Sequence, residues 1–224
     1  MSVPRDLNDL QQRWRQGERF PFHFFYGHTP PTYGVNASCL SQWFLRPFAV
    51  DGVLYPTAEH WMMAEKARLF SDEATLEAIL RAESPREAKA LGRKVRNFRV
   101  EIWDKHKFEV VRRGNLEKFS QHEDLKDYLL STTGYETNAG KAEPPPEVAI
   151  REKGVGYRVA SPNSHQSILV EASPHDDIWG IGLDRHHPHA FNPLTWKGTN
   201  LLGFALTAVR DQLLAEKSGG GLEP

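Results

Sequence analysis

The chain has 224 residues, 39% of them hydrophobic and 25% charged, with a formal net charge of -1 and a pI near 6.8. That length suits one substantial core, and the near-neutral charge excludes a whole-molecule electrostatic grip on DNA, RNA or an anionic membrane, so nucleic-acid contact would have to be local. No stretch reaches the roughly 18 apolar residues that cross a bilayer, the amino terminus lacks a secretory pattern, and the one cysteine, Cys39, excludes an intramolecular disulfide. A cytoplasmic protein with no membrane association is expected, with Cys39 as a buried, inert thiol.

In chain order, residues 6–15 predict a short polar helix with Leu7, Leu10 and Trp14 on one side, and "FPFHFFY" at 20–26 predicts an aromatic strand. In "RPFAVDGVLYPT" two apolar runs meet around Asp51-Gly52, a pair that suits a tight hairpin turn because both central residues there take positive φ. Pro56 and Thr57 open an amphipathic helix, "AEHWMMAEKARLF". Another helix starts at Ser84, with Pro85 suited to the first helical position and Glu87 placed to complete a capping box. Residues 99–119 and 123–132 read as helices, the second stopping at Gly134. Between about 134 and 166 the composition turns rich in Gly and Pro, which marks an insertion. "SILVEA" at 167–172 reads as a strand, and residues 199–214 as a final helix capped by Thr199 or Asn200. The expected fold is α+β: a mainly helical single domain over 21–215 with a small β-sheet, a helical extension over 1–20 and a disordered tail over 216–224.

Three stretches hold groups suited to chemistry. Glu59 and Lys66 lie seven residues apart on one helical face with Met62 and Met63 between them. The helix dipole and the lysine would favour an ionised carboxylate, as a general base or a partner for a developing cation requires; a solvated ion pair is the plainer alternative. In "EASPHDDIWGIGL", Glu171, Asp176 and Asp177 follow a strand and neighbour Trp179, an arrangement suited either to a pocket for a flat polar ligand or to a buried tryptophan anchoring a turn. In "LTWKGTNLLG", Lys197, Gly198 and Asn200 stand at a helix start, as a phosphate seat or as ordinary capping. Residues 86–113 carry ten Lys or Arg against four acids, either a solvated face or a lure for phosphate. His186, His187 and His189 lack the spacing of separated metal ligands, and His60 has no histidine partner one turn away, so neither a metal nor a cofactor is expected.

Taken together, "FFYG", "LSQWFLRPF", "DGVLYPTAEHWMMAEKARLF", "LGRKV", "LVEASPHDDIWGIGL" and "WKGTNLLGFALTAVRDQL" resemble, in order, the YbiA-like family, also called the NADAR superfamily. The resemblance covers most of residues 22–214. It implies a compact, mainly helical α+β N-glycosidase. Its substrate is a small-molecule nucleotide, a phosphoribosylamino-pyrimidine intermediate of riboflavin synthesis, or ADP-ribose attached to guanine bases, the last with transient nucleic-acid contact.

The family's motif glutamate falls on Glu59, its tryptophans on Trp103 and Trp179, its acidic residue on Asp177, its lysine on Lys66 and its arginine on Arg93. On this resemblance Glu59 is the base or oxocarbenium stabiliser. Trp179 and Trp103 stack on the base, Asp177 accepts from ribose or ring N–H groups, and Lys66, Arg93 and Lys197 meet phosphate. Lys66 could alternatively hold Glu59 or attack C1 as an amine. The chain departs from the family at "WGIG", where Ile181 replaces an acidic residue, and in the longer stretches 134–166 and "DRHHPHAFNP". The competing class is a non-catalytic module that binds ADP-ribose or NAD without needing the Glu59 carboxylate.

Overall fold

In a computed structural model, residues 3–133 and 166–219 are described. The elements in chain order are α1 (Leu7–Arg15), β1 (Phe22–Phe25), a 3-10 turn (Ala37–Leu40), β2 (Phe48–Val50), β3 (Val53–Tyr55), α2 (Ala58–Leu69), α3 (Glu73–Leu80), α4 (Pro85–Gly92), α5 (Val100–Ser120), α6 (Glu123–Ser131), β4 (Ile168–Glu171), a second 3-10 turn (Pro193–Thr195) and α7 (Leu201–Gly219). The fold is α+β with helices dominant. Its strands form two separate pairs instead of one sheet: a β2–β3 hairpin and a parallel β1–β4 pair. The hairpin turns at Asp51 and Gly52, whose φ angles are 49° and 79°, the doubly positive pair a tight two-residue turn demands.

Local chemistry starts several helices. The Asp6 side chain accepts from Asp9 N–H and that of Ser84 from Glu87 N–H, so both satisfy backbone donors a first helical turn leaves free. Glu87 reaches one residue past the expected capping box and accepts from Glu83 N–H at 2.9 Å. At the other end of the chain, α7 continues to Gly219, so residues 216–219 of the predicted tail are helical, and the rest of it lies outside the described residues. The predicted insertion at 134–166 lies, except for its last residue, outside the described residues.

α2 departs most from its sequence pattern. Its sequence predicts an amphipathic helix, with a solvated Glu59–Lys66 pair as one of two readings, yet Ala58 through Ala64 are all buried, Glu59 at 2% exposure. α3, α4 and α5 pack around it, so this central helix has almost no water-facing side. Gly92 permits the closest of these approaches: a Cβ there would lie 2.0 Å from Met63 Sδ. A second apolar cluster joins Leu10 of α1 to Phe20, Ile168, Val170, Ile181 and Trp196, so the amino-terminal helix is packed into the fold. The alternation of β4 divides its side chains between the two clusters: Ile168 and Val170 enter this second one, while Leu169 joins the core around α2.

Candidate active site

A cavity of about 210 Å³ opens where the first turn of α2, α4, the start of α5, the end of β4 and the start of α7 converge. Its wall carries three carboxylates (Glu59, Glu171, Asp176), three cations (Lys66, Lys89, Arg93) and three tryptophans (Trp43, Trp103, Trp179), with Met62 and Met63 beneath.

Glu59 donates its backbone N–H to the Gln42 carbonyl at 2.9 Å, which ties α2 to the "SQWF" loop. Its side chain is buried, and Oε1 has no hydrogen-bond partner. Burial raises its carboxyl from the ordinary 4.5 to about 7, against the pull of Lys89, a hydrogen bond from Trp43 and Arg93. Desolvation thus outweighs the dipole and the lysine expected to favour the ionised form, and the carboxyl ionises near neutral pH instead of well below it.

Glu171 ends β4 on the same face as Leu169 and reaches the cavity from the opposite side of the sequence. Its Oε2 is likewise buried without a partner. Burial, reinforced by the charges of Asp176 and Glu59, raises it to about 8, with Lys89 opposing. Asp176 is fixed differently: its Oδ1 accepts the N–H groups of Ile178 at 3.0 Å and Trp179 at 2.7 Å, a turn that also aims Trp179 at the cavity.

Lys66 is half-buried. Its Nζ donates to the Gly92 carbonyl at 2.9 Å and lies 4.1 Å from the Phe98 ring centroid and 5.9 Å from that of Trp103. Burial, then Arg93, lower its basicity. Four of the ten cations in 86–113 are paired: Arg96 with Asp72 and Arg113 with Asp51 outside the stretch, Lys107 with Asp104 and Arg112 with Glu109 within it. Lys89 and Arg93 make no ion pair among the described residues and instead line the cavity, Lys89 lying 5.8 Å from the Trp43 ring centroid. The loop that presents Gln42 and Trp43 is pinned from below by buried Lys118, whose Nζ donates to the carbonyls of Cys39 at 2.6 Å and Ser41 at 3.1 Å.

Of the residues singled out in the sequence, Glu59, Lys66, Arg93, Trp103 and Trp179 thus share one cavity. Asp177 does not: it is exposed, and its neighbour Asp176 lines the wall instead. The predicted phosphate seat is also corrected. The N–H groups of Thr199, Asn200, Leu201 and Leu202 already donate to the carbonyls of Asp177, Gly180, Ile178 and Trp179, so the donors that an anion seat at this helix start would use are taken. Lys197 is exposed away from the cavity, and Gly198 is a packing glycine whose Cβ would meet Gly180 O at 2.3 Å. Asn200, fully buried, is an anchor: Oδ1 accepts from Glu171 N–H at 3.0 Å and Nδ2 donates to Leu169 O at 2.9 Å, holding the strand end that carries Glu171.

Ile181 packs in the second apolar cluster at 0% exposure, off the cavity wall. Cys39 is buried and its thiol is pushed up to about 12 by desolvation, an inert group as expected. Among the described residues no group of three His, Cys, Asp or Glu is arranged to hold a metal, and no helix is long and apolar enough to cross a membrane.

Trp43 and Lys89 are cavity residues to which the sequence pattern gave no role of their own, and Glu171 stood there only as one of three carboxylates beside Trp179. For Glu171 a signal existed, since strict alternation from Leu169 puts it on the inward face of β4. Trp43 and Lys89 are separated by forty-six positions and meet only through the tertiary fold.

Two buried carboxylates, three tryptophans and three cations on one cavity wall suit a flat polar ligand that carries phosphate. The NADAR domain family matches residues 24–137 and 162–214. Similar proteins include N-glycosidase R617 of Acanthamoeba polyphaga mimivirus, 37% identical over 84% of this chain and 94% of its own length. N-glycosidase YbiA of Escherichia coli K12 is 31% identical over 86% of this chain and 89% of its own. The NMR structure of the E. coli protein YbiA aligns with a TM-score of 0.60 at 28% identity, covering 89% of each chain. The chain belongs to the NADAR family and is a hydrolase of N-glycosyl compounds.

Proposed function

We propose that the protein hydrolyses the bond between ribose C1 and a ring or exocyclic nitrogen, with Glu59 stabilising the oxocarbenium-like transition state or activating water. The observation that carries this reading is the Glu59 carboxylate, buried to 2% with Oε1 unpartnered on a wall that also holds three tryptophans and three cations. A desolvated carboxylate with one oxygen unpartnered and no ion pair is costly, and a cationic transition state at C1 is what would offset that cost. A module that only bound ADP-ribose would have no use for it.

Trp179, Trp103 and Trp43 offer faces for the departing base, and Lys89, Arg93 and Lys66 offer charge to phosphate. These features suit two substrates: a phosphoribosylamino-pyrimidine, and ADP-ribose attached to guanine. Both have an N-ribosyl bond flanked by phosphate on one side and a flat ring on the other. The test is a product assay on ADP-ribosylated guanine in DNA, a phosphoribosylamino-pyrimidine, free NAD and ADP-ribose side by side. Release of free base with the matching sugar phosphate is expected from one of the first two. No turnover on any N-ribosyl compound would remove this reading.

A further inference from the structure

Breaking a C1–N bond leaves an electron pair on nitrogen, and an amine or ring nitrogen that departs as an anion is a poor leaving group unless a proton arrives with it. A carboxylate that stabilises the cation does not meet that need, so the cavity requires a second, protonated group. Among its polar lining, Arg93 does not release a proton. Asp176 is held as an acceptor by the N–H groups of Ile178 and Trp179. Lys66 is committed to the Gly92 carbonyl and the Phe98 face. Glu171 remains. Its Oε2 is buried, has no hydrogen-bond partner and belongs to a residue on the cavity wall, and Asn200 holds the backbone that carries it.

Resting on the N-ribosyl hydrolase reading, we propose that Glu171 is the proton donor to the departing nitrogen and acts as the complement of Glu59. Two carboxylates in one desolvated cavity do not both ionise cheaply, so one keeps a proton at neutral pH. The surroundings choose which. Both feel the negative charge of Asp176, but Glu59 has Lys89, the Trp43 hydrogen bond and Arg93 to offset it, whereas Glu171 has Asp176 and Glu59 against Lys89 alone. The charged groups on this wall are Glu59 and Lys66 from α2, Lys89 and Arg93 from α4, and Asp176 after β4; α5 and α7 contribute uncharged Trp103 and Leu202.

In the step itself the C1–N electron pair moves to nitrogen as the Glu171 O–H proton transfers to it, so the base leaves neutral. Water adds to C1 and its proton passes to Glu59. Product release and proton return through solvent leave Glu59 ionised and Glu171 protonated again. The sum is one water consumed, with a hydroxyl on C1 and a hydrogen on the base.

The test compares two leaving groups in Glu171→Gln. A phosphoribosylamino-pyrimidine needs a proton on its departing nitrogen; nicotinamide mononucleotide does not, since its pyridinium nitrogen departs neutral. Glu171→Gln should lose about 10²-fold or more in kcat on the first with KM little changed, the loss shrinking to under about tenfold on the second, while Glu59→Gln loses on both. The parent's kcat on the first substrate should fall at high pH, and that fall should vanish in Glu171→Gln and survive in Glu171→Asp, which keeps an acid one methylene shorter. Equal losses on both leaving groups, or a retained high-pH fall in Glu171→Gln, would overturn the assignment while the hydrolase reading stands. A parent inactive on every N-ribosyl compound would remove both.

Discussion

Lys66 stands two turns beyond Glu59 on α2, and its ammonium donates to the Gly92 carbonyl at 2.9 Å instead of to the carboxylate. Both side chains line the cavity, but Glu59 makes no ion pair among the described residues. Two consequences follow from that separation. The carboxylate's burial is not offset by an ion pair, so its charge is expensive in the folded state. The lysine's position is set by α4 and Phe98, so removing Glu59 leaves the ammonium where it is.

Stability should therefore fall as pH rises through the range where these carboxyls ionise. Glu59 has its folded value raised from 4.5 to about 7 and Glu171 from 4.5 to about 8. Between those limits the native state binds more protons than the unfolded chain, which makes the slope of stability against pH negative. Glu59→Gln should be near neutral in effect at pH 4.5 and more stable than the parent by roughly 3 kcal/mol at pH 8, an order of magnitude set by the size of the shift. Glu171→Gln should behave alike. Thermal melts of parent and variants from pH 4.5 to 8.5 check this; curves that run parallel throughout would mean that neither carboxyl is perturbed.

The tryptophans face one cavity from three elements, which makes each a separable test of stacking. Trp179→Ala should weaken substrate by roughly 1–3 kcal/mol, the scale of base–aromatic stacking. Trp43→Ala should cost a similar amount, though it also removes the hydrogen bond to Glu59. Its kcat should change as well, whereas that of Trp179→Ala should change less. Binding and turnover measured together separate the two, and unchanged affinity in folded Trp179→Ala would return that ring to a packing role.

Local signals made much of this fold legible. Asp51-Gly52 marked its hairpin turn and Ser84-Pro85 its helix start because both depend on backbone geometry within four residues. The parallel pairing of Phe22–Phe25 with Ile168–Glu171 had no such signal, because its partners lie more than 140 positions apart. The burial of α2 was hidden for a related reason: a helix covered by three others shows no polar face, and its Glu and Lys read as a surface pair. Within the site, residues on regular elements were easier to place than those in loops. Glu59 and Lys66 follow from helical spacing, whereas in the Asp176-Asp177 turn one dihedral decides which carboxylate faces inward. Lys197 and Gly198 misled because a helix start offers free N–H groups only if no upstream carbonyl takes them, and here four do.

The corrected phosphate assignment makes its own forecast. Lys197→Ala should leave KM for a phosphorylated substrate unchanged and stability within about 0.5 kcal/mol, as for an exposed side chain without partners in a buried network. Arg93→Ala should weaken the same substrate by about 1.5–3 kcal/mol, the range for a hydrogen bond to a charged group. Gly198→Ala should cost roughly 1–3 kcal/mol of stability through overpacking, since its Cβ would meet Asp177 Cα at 2.7 Å and Gly180 O at 2.3 Å. Phosphate affinity lost in Lys197→Ala and kept in Arg93→Ala would restore the helix-start seat.

The Glu59 carboxylate gives the sharpest test of the proposed chemistry. Glu59→Gln keeps the shape, the buried position and the contact with Gln42 through the backbone, and removes only the charge. A positioned acid or base group contributes about 10²-fold or more, so kcat should fall at least that far. Ground-state binding should change little, because the substrate has no positive charge at C1 until the bond stretches, and the interaction strengthens mainly in the transition state. A structural ion pair would behave in the opposite way: stability would drop by at most about 1 kcal/mol with turnover intact. The two accounts thus differ in sign for the melting temperature at pH 8, which should rise in Glu59→Gln if the charge is buried without a partner. Turnover, ligand affinity and melting temperature measured on one preparation decide between them; normal turnover with a lowered melting temperature would remove Glu59 from the chemistry.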